Sequence, residues 1–393
     1  GKIIYSRRVS VSLTDILLQD TMTTTMTKTA SVLLVGCGCP LKSMGGYHAL
    51  QILDNRVPDA TLKYIVEPWY FSAEAKNAPG YDEFHSWRKE QEESKAGIVF
   101  YSKVSDVPSP TEGELRLAVI SARTADNPAL LEACVDVGSK AIYLEKPGAT
   151  KVEELEAMRD KANQANVKVY MGFNKNVSRY LDLSRDFARN QKCKCDVTFL
   201  HNNNYKNTKE ELSECFERNS EGMLKNMAIH ELAICVTYYG VTVEKISKVT
   251  ADKEFSSMQT LTGPSSGKQF TDFDRLKFKI VTTDGVEINV AADRCGGDDS
   301  VGIVSDAQTG NELARFSMPD KETIANISTL REKYGDAMHY FFTQDPDYLK
   351  LKTLVVNNFV HGIPAIGVAD IDIAIETLKV AEYLTPILQE QLQ

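Results

Sequence analysis

The 393-residue sequence lacks any apolar run near the roughly 20 residues that a membrane-spanning helix requires. It also lacks an excess of basic residues. The sequence has 45 lysines and arginines and 54 aspartates and glutamates, which gives a net charge of −9. With no concentrated basic stretch, this balance argues against nucleic acid or an anionic membrane as a partner. Neither nucleic acid nor a membrane is therefore expected as a partner.

Paired cysteine motifs are absent as well. The eight cysteines form no C-x-x-C pair, and the C-x-C pairs have no second half at the spacing of a zinc site. No grouping of histidine, cysteine and carboxylate residues has metal-site spacing, so no metal is expected. In a chain of this length, scattered cysteines indicate free thiols of a reducing compartment, and the cytoplasm is the expected location.

The first 30 residues differ in composition from the rest. They include the low-complexity polar stretch TMTTTMTKT, so residues 1–30 are expected to form a flexible extension. Lys2, Arg7 and Arg8 resemble the basic residues of an organelle presequence, whereas Asp15 and Asp20 argue against one.

The stretch from Ser31 to Glu67 has the order of parts of a dinucleotide-binding βαβ unit. The apolar run SVLLV predicts a buried strand, and the helical pattern ALQIL follows a glycine-rich loop. A second apolar run then ends at Glu67. Glycines let the backbone approach a pyrophosphate, and an acid at this place holds the ribose hydroxyls. The glycines predicted to bind the cofactor are Gly36, Gly38, Gly45 and Gly46.

Two details of this unit bear on the cofactor. The interval between Gly38 and Gly45 is longer than the two residues of G-x-G-x-x-G, which indicates a different grip on the phosphates. Glu67 is expected to repel a 2′-phosphate, so NAD(H) is favoured over NADP(H).

Two domains are predicted after the extension. Apolar runs alternate with helical patterns as far as residue 173, which predicts a Rossmann-type, doubly wound parallel sheet. Beyond residue 175, strand-like segments follow one another directly, which predicts a large, mostly antiparallel open sheet. We therefore expect an α/β protein with an NAD(P)-binding domain at 31–173 and an α+β substrate-binding domain at 174–393.

Three helical segments are predicted in the second domain, at 222–239, 348–361 and 371–384. The last of them is expected to pack back toward the first domain. The exposed face of a large antiparallel sheet commonly needs a partner, so a homodimer or homotetramer is expected.

Four segments of the sequence form a specific combination: YLEKPGA at 143–149, GFNKN at 172–176, EGMLKNMAIHEL at 221–232 and AIGVADIDIAIETLKVAEYL at 365–384. Together they resemble segments of the Gfo/Idh/MocA oxidoreductases, the family of glucose-fructose oxidoreductase and inositol dehydrogenase. The first corresponds to the family's E-K-P motif, and the third to its G-G-G-x-L-x-D-x-G-x-H motif. The resemblance implies an NAD(H)-dependent enzyme with a small-molecule substrate, in which a hydride moves between nicotinamide and a carbinol or carbonyl carbon of a sugar, polyol or related hydroxy compound.

The same resemblance implies which residues form the site. Without the resemblance, Lys146 is expected to be a lysine that leaves a strand into solvent. His230 is likewise expected to be a buried histidine of the core. In the family context, Lys146 polarises the reacting oxygen and His230 exchanges the alcohol proton, with Asn226 beside it as the third catalytic residue. A cis bond is implied before Pro147. The other implied cofactor contacts are Ser121, Asn127, Glu145, Lys146 and Pro147. The implied substrate contacts are Lys146, Lys175, Asn176, Asn226 and His230.

Departures from the family pattern keep alternatives open. Asn226 replaces the family's usual aspartate, so a carboxylate near His230 is missing. On one continuous helix these two residues share a face, while Lys225 and Glu231 point elsewhere. The polar run starting at His201 either lines the substrate side or is only a loop. The alternative functions are a reductase of a non-sugar carbonyl or C=N bond, and a non-catalytic NAD(P)-sensing regulatory protein.

Overall fold

The computed structural model describes residues 28–94, 96–335 and 337–393. The extension expected at 1–30 therefore lies outside the described residues, apart from its last three. The described chain forms two β-sheets with helices packed against them. None of the helices within these ranges is long and apolar enough to cross a membrane.

Six parallel strands form the first sheet: β1 (Ala30–Val35), β2 (Ala60–Val66), β3 (Val99–Tyr101), β4 (Leu115–Ile120), β5 (Ala141–Leu144) and β6 (Lys168–Met171). They are ordered β3-β2-β1-β4-β5-β6. Strands β1, β4 and β5 are buried along almost their whole length, as expected for a sheet covered on both faces. The strand order reverses between β1 and β4, and ligands of open α/β sheets bind at the carboxyl ends of the strands there.

Four α-helices connect these strands: α1 (Met44–Leu53), α2 (Tyr81–Glu93), α3 (Asn127–Asp136) and α4 (Val152–Gln164). Helix α4 buries Val152, Leu155, Met158 and Ala162 in one stripe, which is the face that their spacing selects. The sheet order and its crossover helices confirm the doubly wound parallel fold.

Seven strands form the second sheet: β7 (Cys195–Asn202), β8 (Ile246–Ala251), β9 (Ser257–Thr262), β10 (Gln269–Thr282), β11 (Glu287–Asp293), β12 (Ser300–Asp306) and β13 (Glu312–Met318). Their order is β13-β12-β7-β11-β10-β8, with β9 paired to β10. Strands β7 and β11 run parallel, and the other neighbours are antiparallel. The prediction of a mostly antiparallel sheet is confirmed. Strand β9, which is rich in polar residues, is not predicted from the sequence.

The helices of the second half are α5 (Arg179–Arg189), α6 (Lys209–Arg218), α7 (Met223–Asn226), α8 (Ile229–Tyr239), α9 (Lys321–Tyr334), α10 (His339–Thr343), α11 (Asp345–His361) and α12 (Ile371–Leu392). The single helix expected at 222–239 is wrong, because Met227 and Ala228 separate α7 from α8. The Ala228 amide donates to the Met223 carbonyl, five residues back, so the α-helical hydrogen-bond pattern is broken there.

Two C-terminal helices hold the sheets against each other. Helix α11 packs on the first sheet, where its buried Leu351 and Val355 join the core beneath β1. Its first residue, Asp345, accepts hydrogen bonds from Gln51 at 2.7 Å and from Arg56 at 2.8 and 2.5 Å. Helix α12 packs against both α4 and α8. The carboxyl ends of the parallel strands therefore face the second half of the chain.

Candidate functional site

The glycines after β1 allow close backbone approaches. Gly36 and Gly38 have positive φ angles of +79° and +64°. A Cβ on Gly45 would lie 2.1 Å from the Gly36 carbonyl oxygen, and one on Gly46 would lie 2.5 Å from Pro40. Only glycine fits where α1 begins against this loop. The loop thus has the close helix-to-strand packing that a dinucleotide site requires.

The residues in the longer interval fold back as a turn. The Ser43 amide donates to the Cys39 carbonyl at 3.0 Å, and the Ser43 hydroxyl accepts the Gly46 amide at 3.1 Å, capping α1. Lys42 extends outward and pairs with Glu83 at 2.7 Å. The additional loop residues therefore build the start of the helix whose positive end faces the crevice.

Glu67 ties the end of β2 to the glycine loop. Its carboxylate accepts the Gly38 amide at 2.6 Å and the Trp69 amide at 3.1 Å, and the residue is 3 % exposed. Burial raises the pKa of Glu67, while these amides oppose the shift. A carboxylate with two oxygens keeps further lone pairs that can accept ribose hydroxyls.

The ends of β4 and β5 complete this side of the crevice. The Ser121 amide donates to the Val35 carbonyl at 2.9 Å, and a Cβ on Gly36 would lie 2.8 Å from the Ser121 carbonyl oxygen. The buried Asn127 amide group donates to the Gly148 carbonyl at 2.8 Å, fixing the turn after β5. The Lys146–Pro147 bond in this turn is cis, as the resemblance implies.

Glu145 is held by a buried chain of polar groups that the sequence does not reveal. Its carboxylate accepts hydrogen bonds from the Tyr143 hydroxyl at 2.8 Å and from His48 Nε2 at 2.9 Å. Lys352 of α11 donates to His48 Nδ1 at 2.8 Å. Burial lowers the pKa of His48 to about 4, so its ring is neutral and can make both bonds. These hydrogen bonds hold Glu145, the residue next to Lys146, in place.

Lys146 reaches from the first sheet to the second half of the chain. Its ammonium donates to the Asn226 main-chain carbonyl at 3.1 Å. Burial lowers the pKa of Lys146, and the carboxylates of Glu145, Glu221 and Glu231 oppose that shift. A lysine held in this way can donate a hydrogen bond to a substrate oxygen at the mouth of the crevice.

His230 lies on α8 beside this lysine. It is 5 % exposed, and its ring packs edge-on against Phe173, with centroids 6.0 Å apart. Its Nδ1 atom is buried and has no hydrogen-bond partner within the described chain. Burial and the positive charges of Lys146 and Lys175 hold the pKa of His230 well below its usual range. The ring is therefore neutral and able to accept a proton.

A buried ion pair lies behind His230, and sequence reasoning missed one of its members. Glu231 is fully buried and accepts Lys175 at 2.9 Å, with His201 Nδ1 at 3.3 Å from its other oxygen. The expectation that Glu231 points away from the site is wrong, because Lys175 and His201, from distant parts of the chain, lie against it. The His201 ring stands 6.2 Å from that of His230, so His201 belongs to this cluster rather than to a remote loop.

Two of the expected site residues, Asn226 and Asn176, direct their side chains elsewhere, and Lys225 points outward as expected. The Asn226 side chain donates to Glu221 at 2.9 Å, so this residue offers its main-chain carbonyl, not its amide, to Lys146. The Asn176 amide donates to Thr237 at 2.8 Å, farther along α8. Lys225 faces outward and pairs with Glu382 at 2.7 Å. In the described ranges, no group of three His, Cys, Asp or Glu side chains is placed to hold a metal.

Comparisons with known proteins agree with the fold. Residues 31–173 match the Gfo/Idh/MocA family model, described as an oxidoreductase family with an NAD-binding Rossmann fold. No curated protein sequence gives a significant match. Solved structures of similar fold include scyllo-inositol dehydrogenase from Lactobacillus casei with bound NAD(H) and scyllo-inositol. It is 15% identical, with a TM-score of 0.61 over 93% of this chain and 97% of that one.

Two further structures extend the comparison. Myo-inositol dehydrogenase from Corynebacterium glutamicum is 16% identical, with a TM-score of 0.60 over 92% of this chain and 97% of its own. Myo-inositol dehydrogenase from L. casei, in complex with NAD(H) and myo-inositol, is 14% identical, with a TM-score of 0.57 over 93% and 96%. At these identities the likeness concerns the fold, and it includes the second domain.

The fold and the first domain define an NAD-binding oxidoreductase with a Rossmann fold. Residues 31–173 carry the likeness to the Gfo/Idh/MocA family. The fold class and the resemblance to this oxidoreductase family, both expected from the sequence, are thereby confirmed. The preference between NAD and NADP, the substrate and the site residues remain predictions.

Proposed function

We propose that this protein oxidises a carbinol carbon of a polyol, sugar or related hydroxy compound with NAD. The observation that carries the proposal is the neutral, buried His230, whose Nδ1 has no partner among the described residues and which lies beside Lys146. A buried polar atom without a partner is uncommon and points to a group that meets a ligand.

In this reaction, His230 accepts the proton of the substrate hydroxyl while the hydride leaves the same carbon. Lys146 donates a hydrogen bond to the reacting oxygen, which becomes the carbonyl oxygen of the product. When bound, NAD supplies the hydride acceptor. Lys175, held by Glu231, contributes a second ammonium on the substrate side. Asn226 positions Lys146 through its main-chain carbonyl.

The reductase alternative receives less support from the same residue. Reduction of a carbonyl or C=N bond requires His230 to donate a proton, yet burial and neighbouring lysines hold its pKa well below its usual range. A neutral ring is the form required for accepting a proton. We therefore favour the dehydrogenase direction.

The test is formation of NADH with scyllo-inositol and myo-inositol, the ligands in the similar structures, alongside a panel of sugars. We expect turnover with at least one polyol. Saturable NADH binding without turnover on any compound would instead favour the non-catalytic sensor. Binding of neither cofactor would contradict the nucleotide site itself.

For cofactor preference, we propose NAD over NADP, because Glu67 is a buried carboxylate at the end of β2, the position at which an acidic residue holds the ribose hydroxyls. NADPH should bind at least about tenfold more weakly than NADH in a fluorescence titration, since placing like charges together costs several kcal/mol. Glu67→Gln should narrow this difference. The matched control is Glu83→Gln, because Glu83 is an exposed carboxylate that forms an ion pair with Lys42 of the glycine loop. If the wild-type protein binds NADPH as tightly as NADH or more tightly, Glu67 does not exclude the 2′-phosphate and the proposed preference is wrong.

We further propose a homodimer or homotetramer formed through the open face of the second sheet, and a cytoplasmic location. All eight cysteines are free thiols, which supports a reducing compartment. Light scattering coupled to size-exclusion chromatography measures the oligomeric state directly. A monomer at micromolar protein concentration would contradict the proposed homodimer or homotetramer.

A further inference from the structure

Asn226 connects Lys146 with a carboxylate that has no role so far. Its main-chain carbonyl accepts the Lys146 ammonium at 3.1 Å, and its side-chain amide donates to the Glu221 carboxylate at 2.9 Å. The carbonyl oxygen and the amide nitrogen of one asparagine are at most about 6 Å apart. The Glu221 carboxylate, just before α7, therefore lies within about 12 Å of the Lys146 ammonium.

The buried Lys146 ammonium has no ion pair of its own. Among the described residues, no carboxylate lies within salt-bridge distance of it. The charges of three carboxylates nonetheless oppose the lowering of its pKa by burial, and they belong to Glu145, Glu221 and Glu231. These charges act on Lys146 across a gap, and a polar group of a ligand can occupy that gap.

Glu221 is the carboxylate of these three that is open to a ligand. Glu231 is fully buried, and the Glu145 side chain is 12 % exposed and accepts two hydrogen bonds. Glu221 is exposed, and the Asn226 amide is its one hydrogen-bond partner within the described chain. Its second carboxylate oxygen is therefore able to accept a hydrogen bond from a bound molecule.

The chemistry of the two groups selects what fits between them. The Lys146 ammonium only donates hydrogen bonds, and an ionised Glu221 only accepts them. Hydroxyl groups do both, whereas a carboxylate or phosphate next to Glu221 would be repelled by a like charge. A six-membered polyol ring with one hydrogen bond at each end spans about 11 Å, which is within the limit set by Asn226.

We propose that Glu221 binds a second hydroxyl group of the substrate whose first hydroxyl reacts at Lys146 and His230. Glu221 is then a specificity residue that selects polyols over alcohols with one hydroxyl group. This inference rests on the proposed function and narrows its substrate class. It also gives the Asn226 side chain a purpose, because this amide holds the Glu221 carboxylate in place.

The experiment compares kcat/KM for scyllo-inositol and for cyclohexanol, which keeps the ring and one hydroxyl group. The wild type should prefer scyllo-inositol. Glu221→Ala should lower kcat/KM for scyllo-inositol by about tenfold or more, because a hydrogen bond to a charged group is lost, and should change that for cyclohexanol by less than about twofold. Glu221→Gln should have an intermediate effect, because its amide remains as a neutral acceptor.

The matched control is Glu382→Gln. Glu382 also binds a side chain of α7, that of Lys225 at 2.7 Å, but Lys225 faces outward. This variant should keep the full preference for scyllo-inositol. Both glutamates are exposed, so we expect every variant to fold, and NADH titration with urea unfolding checks this.

The pH profile gives a second readout. Lys146 stabilises the reacting oxygen as an ammonium, so activity should decline as the pH rises through its pKa. Because the Glu221 charge opposes the lowering of that pKa, Glu221→Gln should move this alkaline limb to lower pH, and Glu382→Gln should leave it in place. The other charged or titratable groups around Lys146 are the same in both variants, namely Glu145, Lys175, His230 and Glu231.

A preference for scyllo-inositol that survives Glu221→Ala, or an alkaline limb that Glu221→Gln does not move, would overturn the proposal. Calorimetric titration of the NADH-bound protein with scyllo-inositol separates this failure from failure of the reaction. Binding that depends on Glu221 without oxidation removes the reaction and leaves the hydroxyl contact. Oxidation with a preference independent of Glu221 removes the contact and leaves the reaction, and scyllo-inositol that neither binds nor reacts overturns both.

Discussion

His230→Gln is expected to lower kcat by roughly 10²- to 10⁴-fold, the range usual for loss of a general base. The glutamine side chain fills a similar volume and keeps hydrogen-bonding groups, but it cannot accept the substrate proton. Because His230 belongs to the substrate side, NADH affinity should stay within about twofold. The measurement is steady-state turnover with the preferred polyol, together with NADH titration of both proteins.

The matched control is His361→Gln, since that histidine lies at the far end of α11 and pairs with Asp59 at the surface, at 2.9 Å. It should retain full activity. The acid limb of the wild-type pH profile gives an independent check. Because the pKa of His230 is held well below 6.5, activity should persist as the pH falls through that value. Near-wild-type turnover in His230→Gln would exclude the proposed role.

The parts of the site that the sequence predicts are those encoded locally. The strand SVLLV, the glycines after it and Glu67 lie within one βαβ unit, where spacing along the chain determines spacing in the fold. Gly45 shows the reason, because its place against the Gly36 carbonyl follows from a strand, a tight loop and a helix in succession. Lys146 follows a strand end in the same way.

The parts that the sequence does not predict depend on contacts between distant segments. The break at Met227 and Ala228 is not predicted, because helical periodicity assumes a continuous helix, and the place of Glu231 in the site depends on residues far away in the sequence. Its partners Lys175 and His201 come from the ends of other elements.

The Lys175–Glu231 pair gives the largest expected effect on stability. Glu231→Gln removes the negative charge and leaves the Lys175 ammonium buried without a counter-ion, which costs about 3–5 kcal/mol in the free energy of unfolding. The surface pair of Lys225 and Glu382 has a similar length, 2.7 Å, but more solvent around it. Glu382→Gln should therefore change the unfolding free energy by about 1 kcal/mol or less. Urea unfolding of the two variants and the wild type measures the difference.

The pH dependence of this effect has a defined sign. Burial alone would raise the pKa of Glu231, but Lys175 and His201 outweigh it and lower the pKa from the ordinary value of 4.5 to about 2 in the fold. A depressed carboxyl pKa contributes stability that is complete above 4.5 and is lost as the pH falls toward 2. The gap between wild type and Glu231→Gln should therefore close over that interval. A gap that stays constant on acidification would mean that shape and hydrogen bonding, rather than charge, hold this pair together.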